Sequence, residues 1–125
     1  MPIRAIRGAI TVDADTREEI ASRTTTLLET IYARNDLHHD DVISILFTAT
    51  QDLASAPPAL AARAFGLIDV PLLCAQEMPV IGSLPLCIRL MLHIETDRSR
   101  TELRHVFLRG ATALRPELAE PGDDQ

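Results

Sequence analysis

Three side chains in this sequence stand where they could hold a small anion: Glu77, Arg89 and Arg7. Glu77 lies in a turn-rich stretch, CAQEMPVIGSLP, and Arg89 lies inside an apolar run that reads as a strand. Along residues 87–95 the alternation is clean. Ile88, Leu90, Leu92 and Ile94 share one face, and Cys87, Arg89, Met91 and His93 share the other. The first face is core. On the second, a permanent cation among apolar neighbours requires a partner or a ligand, because an unpaired buried charge is costly. The planar fork of an arginine also fits a carboxylate or an ether–carboxylate edge better than lysine does. Arg7 repeats the placement in IRAIRGAI, on the face of Ile3, Ala5 and Ala9, with Gly8 leaving room for close approach. Two readings of the trio stand side by side. One is a small anionic ligand held between sheets; the other is a structural ion pair between Glu77 and one of the arginines.

The elements that must position these residues follow from period and punctuation. Residues 3–12 read as a strand. Asp15 is the expected cap of a helix, with Glu18 completing a capping-box-like start. Ile20, Thr24, Leu27, Leu28 and Ile31 form its apolar stripe, and Asn35 ends it. Residues 42–49, VISILFTA, are apolar on both faces, which predicts a central strand covered on each side, with Thr48 and Thr50 at its exit. Ser55 is the expected cap of a second, short helix, with Pro57 and Pro58 in its first turn and Gly66 as its stop. Strands over 70–74, 87–96 and 104–109 complete the pattern, separated by a loop at 75–86 and a polar crossover at 97–102. This β-α-β-α-β-β-β order predicts an α+β fold, a mixed β-sheet with helices on one side.

Composition excludes several classes of function. At 46% hydrophobic, the 125-residue chain is too apolar for disorder and long enough for one core, so residues 1–118 form one expected domain. No apolar run approaches the roughly 20 residues of a membrane helix. The N-terminus opens on strand-like sequence, which predicts no signal peptide and a cytoplasmic location. The net charge of −6 is concentrated late. Glu117, Glu120, Asp123 and Asp124 are followed by no base, so residues 119–125 are expected to be an acidic, frayed tail. No basic footprint for nucleic acid is present. Cys74 and Cys87 form no CxxC and are expected as buried, unpaired thiols, and His38, His39, His93 and His105 have no ligand spacing. No metal, no cofactor and no phosphate loop is predicted, and no Ser/His/Asp or Cys/His relay.

Taken together, IRAIRGAITV, TATQDL, CAQEM, CIRLMLHIETD and RHVFLRGATALRPEL resemble the monofunctional AroH-type chorismate mutases, in motif order and in spacing, from Ile3 to about Leu118. The resemblance implies the Claisen rearrangement of chorismate to prephenate, on the way to Phe and Tyr, without a cofactor. It implies a barrel-like homotrimer with active sites between subunits. Arg7 and Arg89 match the family's two strand arginines, and Glu77 its site carboxylate. By the same resemblance Cys74, Phe107, Arg63, Arg115, Leu73, Ala59 and Leu114 are substrate-binding positions, with Arg63 and Arg115 at the cleft mouth. Arg89 is expected on the ether oxygen and enolpyruvyl carboxylate, Arg7 on a carboxylate, and Glu77 on the ring hydroxyl. Three positions depart from the pattern: Phe107 replaces a common Tyr, and Pro57 and Leu60 replace an aromatic and a basic residue. These departures predict a raised KM with kcat less affected. They also motivate a rival function, a non-catalytic homotrimer that binds a small carboxylate metabolite.

Overall fold

In the computed structural model, which describes residues 1–125, five strands pair into one mixed sheet. β1 (Ile3–Thr11), β2 (Val42–Ala49), β3 (Leu72–Gln76), β4 (Cys87–Glu95) and β5 (Val106–Leu108) take the spatial order β3-β2-β4-β1-β5. The central β4 runs antiparallel to β1 and β2, while the outer strands β5 and β3 run parallel to β1 and β2. A parallel β2–β3 pair needs a crossover, and α2 (Ala59–Ala64) lies within it. The longer α1 (Arg17–Asn35) follows β1.

The core lies between the helices and one face of the sheet. Ile6, Ile10, Ile45, Phe47, Ile88, Leu90, Leu92 and Ile94 meet Ile20, Leu27, Leu28 and Ile31 of α1 in a single cluster. Each of those four α1 side chains is at most 1% exposed and contributes roughly 1.5–3 kcal/mol by burial. The close approach at Gly8 is that of this helix rather than of a ligand. A Cβ there would stand 2.8 Å from Ile31 Cδ1 and 3.3 Å from Leu27 Cδ1.

Local chemistry moves several expected boundaries. Thr16, one residue later than expected, caps α1 by accepting from the Glu19 N–H at 3.1 Å, and Glu19 Oε1 accepts from the Asp13 N–H at 2.9 Å. Asp15 and Ser55 cap no helix. The Asp15 carboxylate accepts from the Ala54 and Ser55 N–H groups at 3.0 Å, and these bonds hold it below the usual carboxylate range. At the end of α1, Asp36 takes the left-handed conformation at φ 49°. The expected strand at 104–109 shortens to Val106–Leu108, because Arg109 turns to φ 56° and opens a 3-10 segment, Arg109–Leu114. The β2 strand is covered on one face only. Ile45 and Phe47 are buried, whereas Leu46 on the opposite face is 37% exposed. Both helices pack on the same side of the sheet, so apolarity on two faces does not bring cover to both within one chain.

The segment 119–125 is folded back instead of frayed. Asp123 is 5% exposed, and its carboxylate accepts from both terminal nitrogens of Arg34, at 3.1 and 2.6 Å. The Arg109 N–H donates to the Asp123 carbonyl at 2.5 Å, and Arg104 pairs with Glu120 at 3.3 Å. The last turn of α1 and the approach to β5 thus set Arg34 and Arg104 opposite the acidic residues, while Arg109 holds the segment through its backbone N–H and its bond to the Gln125 carbonyl. No helix of the chain is long and apolar enough to cross a membrane.

Candidate active site

Strand register builds the site on the sheet face turned away from the helices. Thr48 of β2 stands opposite Arg89 of β4, Arg89 opposite Ala9 of β1, and Ala9 opposite Phe107 of β5. The next row along that face is Leu46, Met91 and Arg7. Ala9 is small, so space remains between Arg89 and Phe107. Glu77 follows directly after β3, and its N–H donates to the Ala49 carbonyl at 2.8 Å, carrying the β2–β3 pairing one step beyond the strand. Arg7, Leu46, Thr48, Glu77, Arg89, Leu90 and Met91 line the resulting cleft.

The three residues singled out in the sequence are therefore brought to one place. Arg89 Nε lies 3.8 Å from Glu77 Oε2, beyond hydrogen-bonding distance, and this buried N–H has no hydrogen-bond partner. The Glu77 oxygen is engaged elsewhere: Thr48 Oγ1 donates to it at 2.5 Å. A buried donor left unmet costs about 1–3 kcal/mol. That cost favours a ligand-binding guanidinium over a completed structural ion pair. Arg7 lies at the cleft's other side, its Cζ 5.7 Å from the centroid of the Phe107 ring, within range of a cation–π contact.

The electrostatics favour an anion. The Arg7 backbone N–H donates to His105 Nδ1 at 2.9 Å, so that ring nitrogen is an unprotonated acceptor. Burial pushes the His105 pKa down, and the nearby Arg7 and Arg115 push it further in the same direction. With His105 neutral, two guanidiniums face one carboxylate, a local excess of positive charge. The Cys87 thiol, 1% exposed, is pushed up to about 11, chiefly by burial against the opposing pull of Arg89, and stays protonated. It supplies no nucleophile.

The other expected positions divide. Phe107 is 2% exposed and packs with Ala9, Cys87 and Ala111, with Leu114 against them. It is thus a buried ring beneath Arg7, since a ring without a hydroxyl seats fully in an apolar cluster. Arg115 pairs with Glu117 at 2.7 Å. Cys74 pairs in register with Phe47, which places it on the helix side of the sheet. It is exposed there, contrary to expectation, because β3 is an edge strand; with Pro57 and Pro58 it lines a separate cavity. Ala59 and the exposed Arg63 are on α2, on that same side, and Leu73 is 65% exposed on β3. Within one chain, then, Arg7, Glu77 and Arg89 gather with Phe107 and Leu114 behind them, and Ala59, Arg63 and Cys74 do not reach them. Sequence reasoning placed Thr48 only at a strand exit and gave His105 no role. The available signal for Thr48 was a hydroxyl, one of two with Ser44, on an otherwise apolar strand.

Comparison with known proteins accords with this geometry. A family model described as chorismate mutase type I matches residues 3–118. Chorismate mutase AroH of Bacillus subtilis (strain 168) is 46% identical over 120 residues, covering 95% of this chain and 94% of that protein. Chorismate mutase AroH of Thermus thermophilus is 47% identical over 117 residues, covering 93% and 96%. A solved chorismate mutase from Clostridium thermocellum superposes with a TM-score of 0.87 at 46% identity, over 88% of this chain and 98% of that one. The motifs, the sheet and the near-complete match agree, and the chain belongs to the type I chorismate mutases.

Proposed function

We propose that the chain rearranges chorismate to prephenate with Arg89, Glu77 and Arg7 as its catalytic residues, in clefts that neighbouring copies of a homotrimer complete. The reaction is an isomerisation in aromatic amino-acid biosynthesis. One ether C–O bond breaks while one C–C bond forms in a cyclic shift of electron pairs, and no proton leaves the substrate. The chemistry thus calls for no nucleophile and no proton relay. The protein's tasks are to hold the chair-like diaxial conformer and to meet the charge that develops as the ether bond stretches. Negative charge grows on the ether oxygen and enolpyruvyl side, where Arg89 donates. Positive character grows on the ring, which Glu77 faces while accepting the ring hydroxyl, and Arg7 holds a carboxylate. A million-fold acceleration requires about 8 kcal/mol, and one preorganised donor aimed at a developing oxyanion supplies about 2.7–4 kcal/mol of it.

The observation that carries this reading is the buried Arg89 Nε–H without a partner, beside a carboxylate that stops 3.8 Å short of it. The homotrimer is supported by the division of the site. Arg63, Ala59 and Cys74 lie across the sheet from Arg89, and a head-to-tail ring brings one copy's α2 side to the next copy's cleft. Leu46 and Met91, each 37% exposed on the uncovered sheet face, and Ile81, fully exposed beyond Glu77, are apolar surface for such a contact. A cytoplasmic location fits the two unpaired cysteines.

Loss of chorismate's ultraviolet absorbance tests the reading, with the parent chain run beside Arg89→Ala and both checked for assembly by size-exclusion chromatography with light scattering. Turnover by the parent and none by the assembled variant is the expected result. Binding of chorismate by a folded trimer without turnover would replace it with the carboxylate-binding alternative. Mixing Arg63→Ala and Arg89→Ala chains tests the shared cleft: random hybrid trimers regain about one quarter of the sites. No recovery on mixing would overturn it.

A further inference from the structure

We propose that Thr48 is a positioning residue of the cleft: its hydroxyl holds the Glu77 carboxylate off Arg89, so that both remain available to a ligand. The inference rests on the roles given to Glu77 and Arg89 above. Thr48 Oγ1 donates to Glu77 Oε2 at 2.5 Å, and that same oxygen stands 3.8 Å from Arg89 Nε. Thr48 and Arg89 are opposed residues on paired strands, so a carboxylate that approaches the guanidinium from β3 meets the hydroxyl first. The Glu77 backbone is pinned to Ala49 beside it, which leaves side-chain rotation as its freedom.

Without a competing bond, a carboxylate and a guanidinium this close in a half-buried cleft would draw together into a charge-assisted pair. Such a pair would occupy the donor that the ether oxygen needs. The bond from Thr48 satisfies Oε2 and leaves Oε1, which has no protein partner, free for a ring hydroxyl. A β-branched side chain on a strand has a restricted χ1, so the hydroxyl keeps its direction. Valine has the same shape without the hydroxyl, and serine keeps the hydroxyl without the methyl.

The experiment compares the parent with Thr48→Val, Thr48→Ser, Glu77→Gln and the Thr48→Val/Glu77→Gln double variant in chorismate turnover, with crystal structures of parent and Thr48→Val. Thr48→Val is expected to lower kcat/KM about tenfold, mainly through KM, with melting temperature retained. Thr48→Ser recovers most of that loss. In the Glu77→Gln background, Thr48→Val adds no further loss, because the bond it removes no longer holds a carboxylate. In the crystal of Thr48→Val, Arg89 and Glu77 close to about 2.8 Å. Unchanged kinetics in Thr48→Val would overturn the proposal, and so would an equal penalty in the Glu77→Gln background, which a packing role would give. Thr48→Ala serves as a second hydroxyl-free variant if the valine chain does not fold. Absence of turnover by the parent defeats the mutase reading, while the Arg89–Glu77 distance still decides the role of Thr48.

Discussion

Asp123 is the one acidic side chain the fold removes almost wholly from water, and its replacement by asparagine probes the docked C-terminal segment. The substitution keeps the shape and removes the charge. Of the two bonds from Arg34, at 3.1 and 2.6 Å, one is lost because the new amide nitrogen cannot accept, and the other loses its charge assistance. Breaking a buried ion pair costs about 3–5 kcal/mol, but Arg34 is less exposed to that penalty here. It remains 19% exposed, keeps Glu120 at 3.4 Å, and sits in the last turn of α1, where a cation is favourable. The expected loss is about 2 kcal/mol, which for a chain of this length lowers the melting temperature by about 8 °C. The Arg34 hydrogen bonds hold the Asp123 carboxyl below its ordinary range; burial opposes them and the Glu120 N–H assists. A carboxyl lowered on folding stabilises the fold fully above its unfolded value of about 3.9, and the stabilisation is lost as pH falls through the lower folded value. Thermal melts of parent and Asp123→Asn from neutral pH to pH 3 should therefore differ most near neutrality and converge below about pH 4. Identical melts at pH 7, or a gap that persists undiminished in acid, would refute the reasoning. Hydrogen exchange should show the loss concentrated in residues 119–125.

Three further outcomes follow from the same geometry. Phe107→Tyr adds a hydroxyl to the ring beneath Arg7 and should lower KM about tenfold or more, the worth of one hydrogen bond to a charged group at about 1.5–3 kcal/mol, with kcat within about twofold; steady-state kinetics in which only kcat rises would contradict this. Gly66→Ala should cost about 2 kcal/mol in a denaturant melt, because φ is +117° and the new Cβ would meet His39 Nε2 at 2.6 Å, disturbing that ring's bond to the Phe65 carbonyl; unchanged stability would contradict it. In thiol titration at pH 8, Cys74 should react in the native chain, and Cys87, buried with a pKa near 11, only on unfolding. Equal rates for the two thiols would count against the placement of β4.

Periodicity is a local property, and what it controls was legible in the chain itself. The bounds of Val42–Ala49, the core face Ile88, Leu90, Leu92 and Ile94, and the α1 stripe all follow from spacings of two and of three to four residues. The oddity of Arg7 and Arg89 on strands and of Glu77 in a turn was equally visible, and the motif order carried the family. Three features depended on pairing between distant segments. The order β3-β2-β4-β1-β5 sets Thr48 opposite Arg89, residues 41 positions apart, and leaves Cys74 on the other face. The choice of Thr16 over Asp15 as cap rests on what Asp15 does for Ala54 and Ser55, some forty residues away. The acidic tail reads as solvated because its partners, the Arg34 and Arg104 side chains and the Arg109 backbone N–H, come together only when α1 and β5 pack. Side-chain direction is written into each segment by backbone geometry, whereas register, strand order and the pairing of distant charges exist only once the chain has closed on itself.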